Sequence, residues 1–196
     1  MNLTTIYLPT PLELMIDLSD EQFFDLCQKN RDFKFERTAS RVLVIMSPTG
    51  GETSNRNIEL SYQLQAWSRQ NQLGKAFDSS GGFKLPNGAD RSPDASWVQR
   101  ERWESLSLEQ REKFLPLCPD FVVELRSASD RLKSLQDKMQ EYRENGAKLG
   151  WLIDPQNKRV EIYRPDQEEV EIQENPTTLS GENVLPGFIL DLTVIW

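Results

Sequence analysis

The run Phe-Val-Val-Glu-Leu at 121–125 is the strongest buried-strand signal in the chain and constrains the fold more than any other segment. A helical pattern follows over about 130–144, and its apolar stripe consists of Leu132, Leu135, Met139 and Tyr142. Residues 148–153 then predict another strand. A strand, a helix and a strand in this order predict one parallel crossover in an otherwise mostly antiparallel mixed sheet.

The rest of the chain predicts further helices and strands around this unit, so the expected class is α/β in the broad sense (α+β). Ser19 and Gln22 form a capping-box pattern that opens an N-terminal helix. The other expected elements are a hairpin over 33–37 and 41–46, a helix over about 54–69, a Gly-rich β region over 75–88, a strand over 95–98, a charged helical surface insertion over 99–117, and a C-terminal β-meander through 159–163 and 170–172. At 196 residues the default is one domain, spanning 1–196.

The chain contains no histidine, which limits the chemistry that it can perform. A single-chain Ser-His-Asp or Cys-His hydrolase and the usual catalytic zinc site all need imidazole groups, so the sequence excludes them. Cys27 and Cys118 are too few for a four-thiolate metal site or a disulfide framework. Any catalysis falls to carboxylates, Lys, Arg, Tyr, Ser or the backbone.

Charge and hydropathy restrict the partners and the location. A net charge of −8, from 31 acidic and 23 basic side chains, argues against a protein whose main role is to coat nucleic acid. It leaves open an enzyme that contacts DNA locally. The first twenty residues lack a basic segment followed by a long apolar run, and no stretch approaches the ~18 apolar residues of a membrane span. We therefore expect a cytoplasmic protein.

Two acidic residues are candidates for chemistry. Asp94 follows Pro93 at the start of a strand, and Glu124 interrupts an apolar strand, where a charge needs a partner or a metal. Strand alternation places Glu124 and Arg126 on one face. One interpretation is a structural Glu124–Arg126 ion pair with Asp94 capping a turn. The other is a site for Mg²⁺ or Mn²⁺, because hard cations prefer carboxylate oxygens and the chain has no imidazole.

Several motifs together resemble one protein family. They are Ser-Pro-Thr-Gly-Gly-Glu at 47–52, Pro93-Asp94, Pro-Asp-Phe-Val-Val-Glu-Leu-Arg-Ser at 119–127, the helix with Lys138 and Tyr142, Gly-Trp-Leu-Ile-Asp-Pro at 150–155, and Leu-Pro-Gly-Phe at 185–188. In their order and spacing, over about 19–192, they resemble the bacterial restriction-endonuclease-like family within the PD-(D/E)XK nuclease superfamily. The resemblance implies a mixed sheet flanked by helices, with Asp94 and Glu124 as metal-binding acids.

The resemblance also points to basic residues. The superfamily's lysine stands two residues after the glutamate, and this chain has Arg126 there, which can hold a phosphate but accepts protons poorly. The family resemblance places a substitute lysine at Lys138, on the following helix. Helical periodicity puts Lys138 roughly 80° from the centre of the apolar stripe, at the border of the buried face. A solvated helix lysine is the alternative.

A third acid and a substrate complete the expectation. Glu52, in the Gly-rich loop before the first long helix, matches the family motif better than Glu59, whose helical position favours solvent. The expected function is Mg²⁺- or Mn²⁺-dependent hydrolysis of DNA phosphodiester bonds, and double-strand cutting would suit a homodimer. The alternative is a catalytically weakened binding or regulatory module, because Arg126 replaces the lysine and the chain has no long basic stretch.

Overall fold

The computed structural model describes residues 11–196, which contain five helices and thirteen strands. In chain order these are β1 (Leu12–Met15), α1 (Asp20–Lys29), β2 (Lys34–Arg37), β3 (Val42–Met46), α2 (Gly51–Asn71), β4 (Gly74–Asp78), β5 (Phe83–Lys84), β6 (Asp90–Arg91), β7 (Ala95–Gln99), α3 (Arg100–Glu104), α4 (Leu108–Arg111), β8 (Phe121–Leu125), α5 (Leu132–Glu144), β9 (Leu149–Asp154), β10 (Arg159–Tyr163), β11 (Glu171–Glu174), β12 (Thr178–Ser180) and β13 (Ile189–Asp191). The first ten residues, which entered the expectations on location and domain span, lie outside the described residues.

A six-stranded sheet in the order β11-β10-β9-β8-β7-β4 forms the centre of the fold. Its neighbouring strands are antiparallel except β8 and β9, which run parallel and are joined by α5. The predicted single crossover is therefore confirmed. The strands β9, β10 and β11 form the expected C-terminal meander, while β12 and β13 pair separately as a two-stranded sheet.

All five residues of β8 are buried, because both faces of the central sheet are covered. On one face, Phe121, Val123 and Leu125 belong to a core cluster with Leu60, Leu64 and Trp67 of α2. On the other face, Val122 belongs to a cluster with Met139 and Tyr142 of α5. The alternation predicted for β8 is thus confirmed. It directs Glu124 toward α5, away from α2.

The N-terminal hairpin is confirmed, but it does not extend the central sheet. Strands β2 and β3 pair in register from Lys34 opposite Met46 to Arg37 opposite Leu43. They belong to a second, five-stranded sheet in the order β1-β3-β2-β6-β5. The segment between β4 and β7 supplies β5 and β6 of this second sheet. The chain then passes from β6 through Asp94 into β7 of the central sheet.

Two helical regions differ in detail from the sequence expectation. Helix α2 begins at Gly51 instead of about residue 54, so Glu52 lies in its first turn and not in the preceding loop. An acidic residue there is stabilised by the positive end of the helix dipole. The charged insertion over 99–117 contains two short helices, and the second begins with a capping box formed by Ser107 and Gln110. Among the residues described, no helix is long and apolar enough to cross a membrane.

Candidate active site

Asp94 and Glu124 lie side by side on neighbouring strands. Ala95 of β7 is paired with Val123 of β8, which brings Asp94 to the end of that ladder. The Asp94 backbone N–H donates to the Val123 carbonyl at 3.0 Å, and its Oδ2 accepts from the Leu125 N–H at 2.8 Å. The aspartate therefore bonds to the residues on both sides of Glu124, and its carboxylate is fixed by the strand pairing.

Glu124 is buried against α5 and finds its partners there. Only 3% of the residue is exposed. Its Oε1 lies 2.8 Å from Lys138 Nζ and accepts a hydrogen bond from the Tyr142 hydroxyl at 3.0 Å. Lys138 and Tyr142 stand one helical turn apart on α5, so both reach the same carboxylate. The carboxylate that was out of place in an apolar strand is thus paired.

Lys138 connects Glu124 to a second buried carboxylate. Its side chain is 11% exposed, as expected for a lysine at the border of the buried face. Besides Glu124, its Nζ donates to Glu36 Oε1 at 2.7 Å. Lys34, with Nζ 3.7 Å from Asp94 Oδ1, adds a second positive charge beside the acids. The structure therefore brings together three predicted residues, Asp94, Glu124 and Lys138.

Sequence reasoning missed Glu36, which enters from β2 of the second sheet. Its Oε2 lies 3.1 Å from Arg91 Nη1, and its Oε1 accepts from the Ser92 N–H at 3.0 Å. One signal was available. Glu36 and Arg37 are consecutive charges in a strand, so they point to opposite faces, and covering either face buries one of them. Both are in fact buried, and Arg37 is paired with Asp90.

Burial sets the electrostatics of this cluster. It raises the pKa of Glu124 to about 7 despite the attraction of Lys138, and the negative charges of Asp94 and Glu36 add to the rise. Glu36 is equally buried, but Lys138 and Arg91 outweigh the desolvation and lower its pKa to about 2. The two glutamates together hold the pKa of Lys138 above its usual value, against the effect of burial. Lys138 is therefore an ammonium ion at neutral pH.

The family follows from a comparison with known proteins. The family model Uma2, described as "Putative restriction endonuclease", matches residues 20–193. The chain belongs to this family. A crystal structure titled as a "putative nuclease belonging to DUF820", from Anabaena variabilis, matches with a TM-score of 0.73 at 18% identity, over 91% of this chain and 97% of that chain. No curated protein matches the sequence. The expected family and its mixed fold are therefore confirmed.

Arg126 of this Uma2 chain lies outside the cluster. Its backbone N–H donates to the Ile153 carbonyl at 2.8 Å, which continues the pairing with β9 beyond the end of β8. The guanidinium consequently meets the end of β9, where Nη1 donates to Asp154 Oδ2 at 2.7 Å. The alternative of a Glu124–Arg126 ion pair is wrong, because each of the two residues has another partner.

The structure does not bring a third acid from α2 to this Uma2 site. The Glu52 side chain is 87% exposed, and its carboxylate lies 3.8 Å from Arg56, on the same helix. Glu59 is partly buried on that helix. The apolar face of α2 packs on the face of β8 opposite to Glu124. Neither side chain is therefore on the side of the sheet where Lys138 and Glu124 meet.

The donor set fits a hard divalent cation with few protein ligands. Within residues 11–196, no three acidic or thiol side chains gather as a metal site, and Asp94 and Glu124 form a pair of carboxylates on adjacent strands. Mg²⁺ typically takes one or two carboxylates and completes its shell with water and phosphate oxygens. The raised pKa of Glu124 means that its negative charge is under-compensated, and a cation would relieve that deficit.

Proposed function

We propose that this Uma2 chain is a metal-dependent endonuclease that hydrolyses DNA phosphodiester bonds. The observation that carries the proposal is the adjacency of Asp94 and Glu124 on paired strands, with the Lys138 ammonium 2.8 Å from Glu124. Two carboxylates and a cationic side chain are the groups that phosphoryl transfer needs for charge stabilisation. The family description supports the nuclease class, and Mg²⁺ or Mn²⁺ and DNA are the finer part of the proposal.

Asp94 and Glu124 would hold the divalent ion. When bound, such an ion activates a water molecule and neutralises charge on the scissile phosphate. The protein keeps both carboxylates in place before any ligand arrives. Asp94 is held by the Leu125 N–H, and Glu124 by the Tyr142 hydroxyl. Preorganised ligands of this kind need no rearrangement during the reaction.

Lys138 would act as a hydrogen-bond donor and an orienting charge. Because its pKa is raised, the Nζ retains its proton at neutral pH and does not serve as the base that deprotonates water. An ammonium beside Glu124 can donate to a phosphate oxygen or to the attacking water. The electrostatics therefore favour an orienting role for Lys138 over the role of a base that deprotonates water. The site role expected for Arg126 stays a prediction, and the exposed Glu52 side chain adds no support to the role expected for that residue.

A second function has one observation in its favour. Lys138 is already paired with both Glu36 and Glu124, and Arg126 is bound to Asp154, so the cations near the acids are engaged. With a net charge of −8, such an arrangement also suits a binding or regulatory module that has lost cleavage. Calorimetric titration with Mn²⁺ separates the two functions. Tight binding that depends on Glu124 supports the nuclease.

Plasmid cleavage tests the proposal. Purified protein with Mg²⁺ or Mn²⁺ should nick or linearise supercoiled plasmid, and Asp94→Asn or Glu124→Gln should abolish the activity. Uncut plasmid, or equal cutting by these variants, would contradict it. The proposal places the protein with its DNA substrate in the cytoplasm. Double-strand cleavage would further suit a symmetric homodimer, which sedimentation equilibrium can detect.

A further inference from the structure

Glu36 lies at the candidate active site but has no role in the proposed hydrolysis. It is buried, and its carboxylate contacts three groups from two separate parts of the chain. These are Lys138 on α5, Arg91 at the end of β6, and the main-chain N–H of Ser92. Its contact with Lys138 joins residues 102 positions apart in the sequence. The second sheet therefore reaches the candidate active site through Glu36, and Lys34 on the same strand lies beside Asp94.

We infer that Glu36 is a positioning residue with two effects. It holds the Lys138 ammonium next to Glu124, and it holds the turn that leads into Asp94. This inference rests on the proposed function. A lysine side chain has four flexible bonds, and one ion pair leaves its ammonium free to swing. Two carboxylates, 2.7 Å and 2.8 Å away, hold Nζ between them. The same Glu36 oxygen binds the Ser92 N–H, two residues before Asp94.

The anchoring would matter for the reaction because misplaced catalytic groups lose most of their effect. A shift of ~1 Å in a reacting group can lower a rate by ~100-fold. Without Glu36, Lys138 would keep Glu124 as its carboxylate partner and collapse onto it, which neutralises a proposed metal ligand. With Glu36, the positive charge is shared between two acids. The glutamate thus acts through Lys138 and does not itself touch substrate.

The chain offers a matched control for this role. Glu161 on β10 is similarly buried, with 4% exposed, and it also binds a residue of α5, since Gln136 donates to its Oε1 at 2.9 Å. Its other partners are Tyr163 and Arg159, which lie outside the candidate site. Glu161→Gln therefore removes a buried charge next to the same helix without changing the contacts of Lys138.

Lysine-ammonium NMR on the metal-free protein tests the anchoring directly. The Lys138 Nζ signal, assigned by its loss in Lys138→Met, should shift or broaden in Glu36→Gln and stay unchanged in Glu161→Gln. If Glu36→Gln leaves the signal unchanged, the inference is overturned. Should the amide variant fail to fold, Glu36→Asp keeps the charge but shortens the side chain. The signal then moves if Glu36 is the anchor and stays if it is not.

Cleavage kinetics provide the second readout. Glu36→Gln should lower kcat by about tenfold or more while KM for DNA changes little, because Glu36 does not contact the substrate. Glu161→Gln should keep both constants. A KM change without a kcat change would overturn the role. If the wild-type protein does not cut DNA, the proposed function fails, whereas the NMR result still decides whether Glu36 anchors Lys138.

Discussion

Replacing Lys138 by methionine should destabilise the protein strongly. The substitution removes the ammonium group that pairs with two buried carboxylates, those of Glu36 and Glu124. Breaking a buried ion pair by removing one partner costs about 3–5 kcal/mol. Glu36 retains Arg91 and the Ser92 N–H, and Glu124 can take up a proton. We therefore expect the lower end, a loss of about 3 kcal/mol in the free energy of unfolding.

The matched control is Lys133→Met on the same helix. Lys133 is paired with Asp137, but their side chains are 80% and 63% exposed, so the change should cost about 0.5 kcal/mol or less. At 2–4 °C per kcal/mol for a chain of this size, Lys138→Met should lower Tm by roughly 6–12 °C. Urea and thermal unfolding at pH 7, followed by circular dichroism, measure both variants.

The pH dependence of this loss follows from Glu124. Its pKa is already raised to about 7, and removing Lys138 raises it further. Below that pKa the buried carboxyl is neutral, so the destabilisation should be smaller at pH 5 than at pH 8. If Lys138→Met is no more destabilising than Lys133→Met, or if its cost grows toward acid pH, the reasoning about this buried cluster is refuted.

Four further results are expected. Gly74→Ala should cost about 1–3 kcal/mol of stability, since its new Cβ would overlap the Val98 carbonyl oxygen and the Trp97 ring; equal denaturant midpoints would contradict this. Tyr142→Phe, measured by urea unfolding, should cost about 1–2 kcal/mol, because Glu124 loses a buried hydroxyl donor. Plasmid cleavage by Glu52→Gln should stay within about twofold of the parent, because its side chain is exposed. Unfolding followed by far- and near-ultraviolet dichroism should give coincident transitions if the chain is a single domain.

Much of the site could be predicted because its signals are local. Glu124 violates the apolar pattern of its own strand, and Lys138 lies at the border of a stripe that four neighbouring residues define. The proline-aspartate pair marks a strand entry. Each of these signals depends only on the residue pattern within a single helix or strand, so it can be read from the sequence. The family resemblance supplied the order in which the elements combine.

The remainder depends on how distant segments pack. Glu36 reaches the site only because β2 pairs with β6, and no local pattern indicates that this sheet faces α5. Arg126 shares a face with Glu124, but pairing with β9 continues past the strand end and offers Asp154 as a nearer partner. Glu52 was expected in a loop, but it belongs to the first turn of α2, where its carboxylate points toward solvent. Periodicity carries no information on these arrangements.

The most direct test is a crystal of the protein soaked in Mn²⁺ and measured for anomalous scattering. The account predicts one strong peak within roughly 2.5 Å of carboxylate oxygens of both Asp94 and Glu124. The Lys138 ammonium should remain beside the peak, held by Glu36. No peak at this position under saturating Mn²⁺, or a peak held by other residues alone, would contradict the assignment of these two acids as the metal-binding centre.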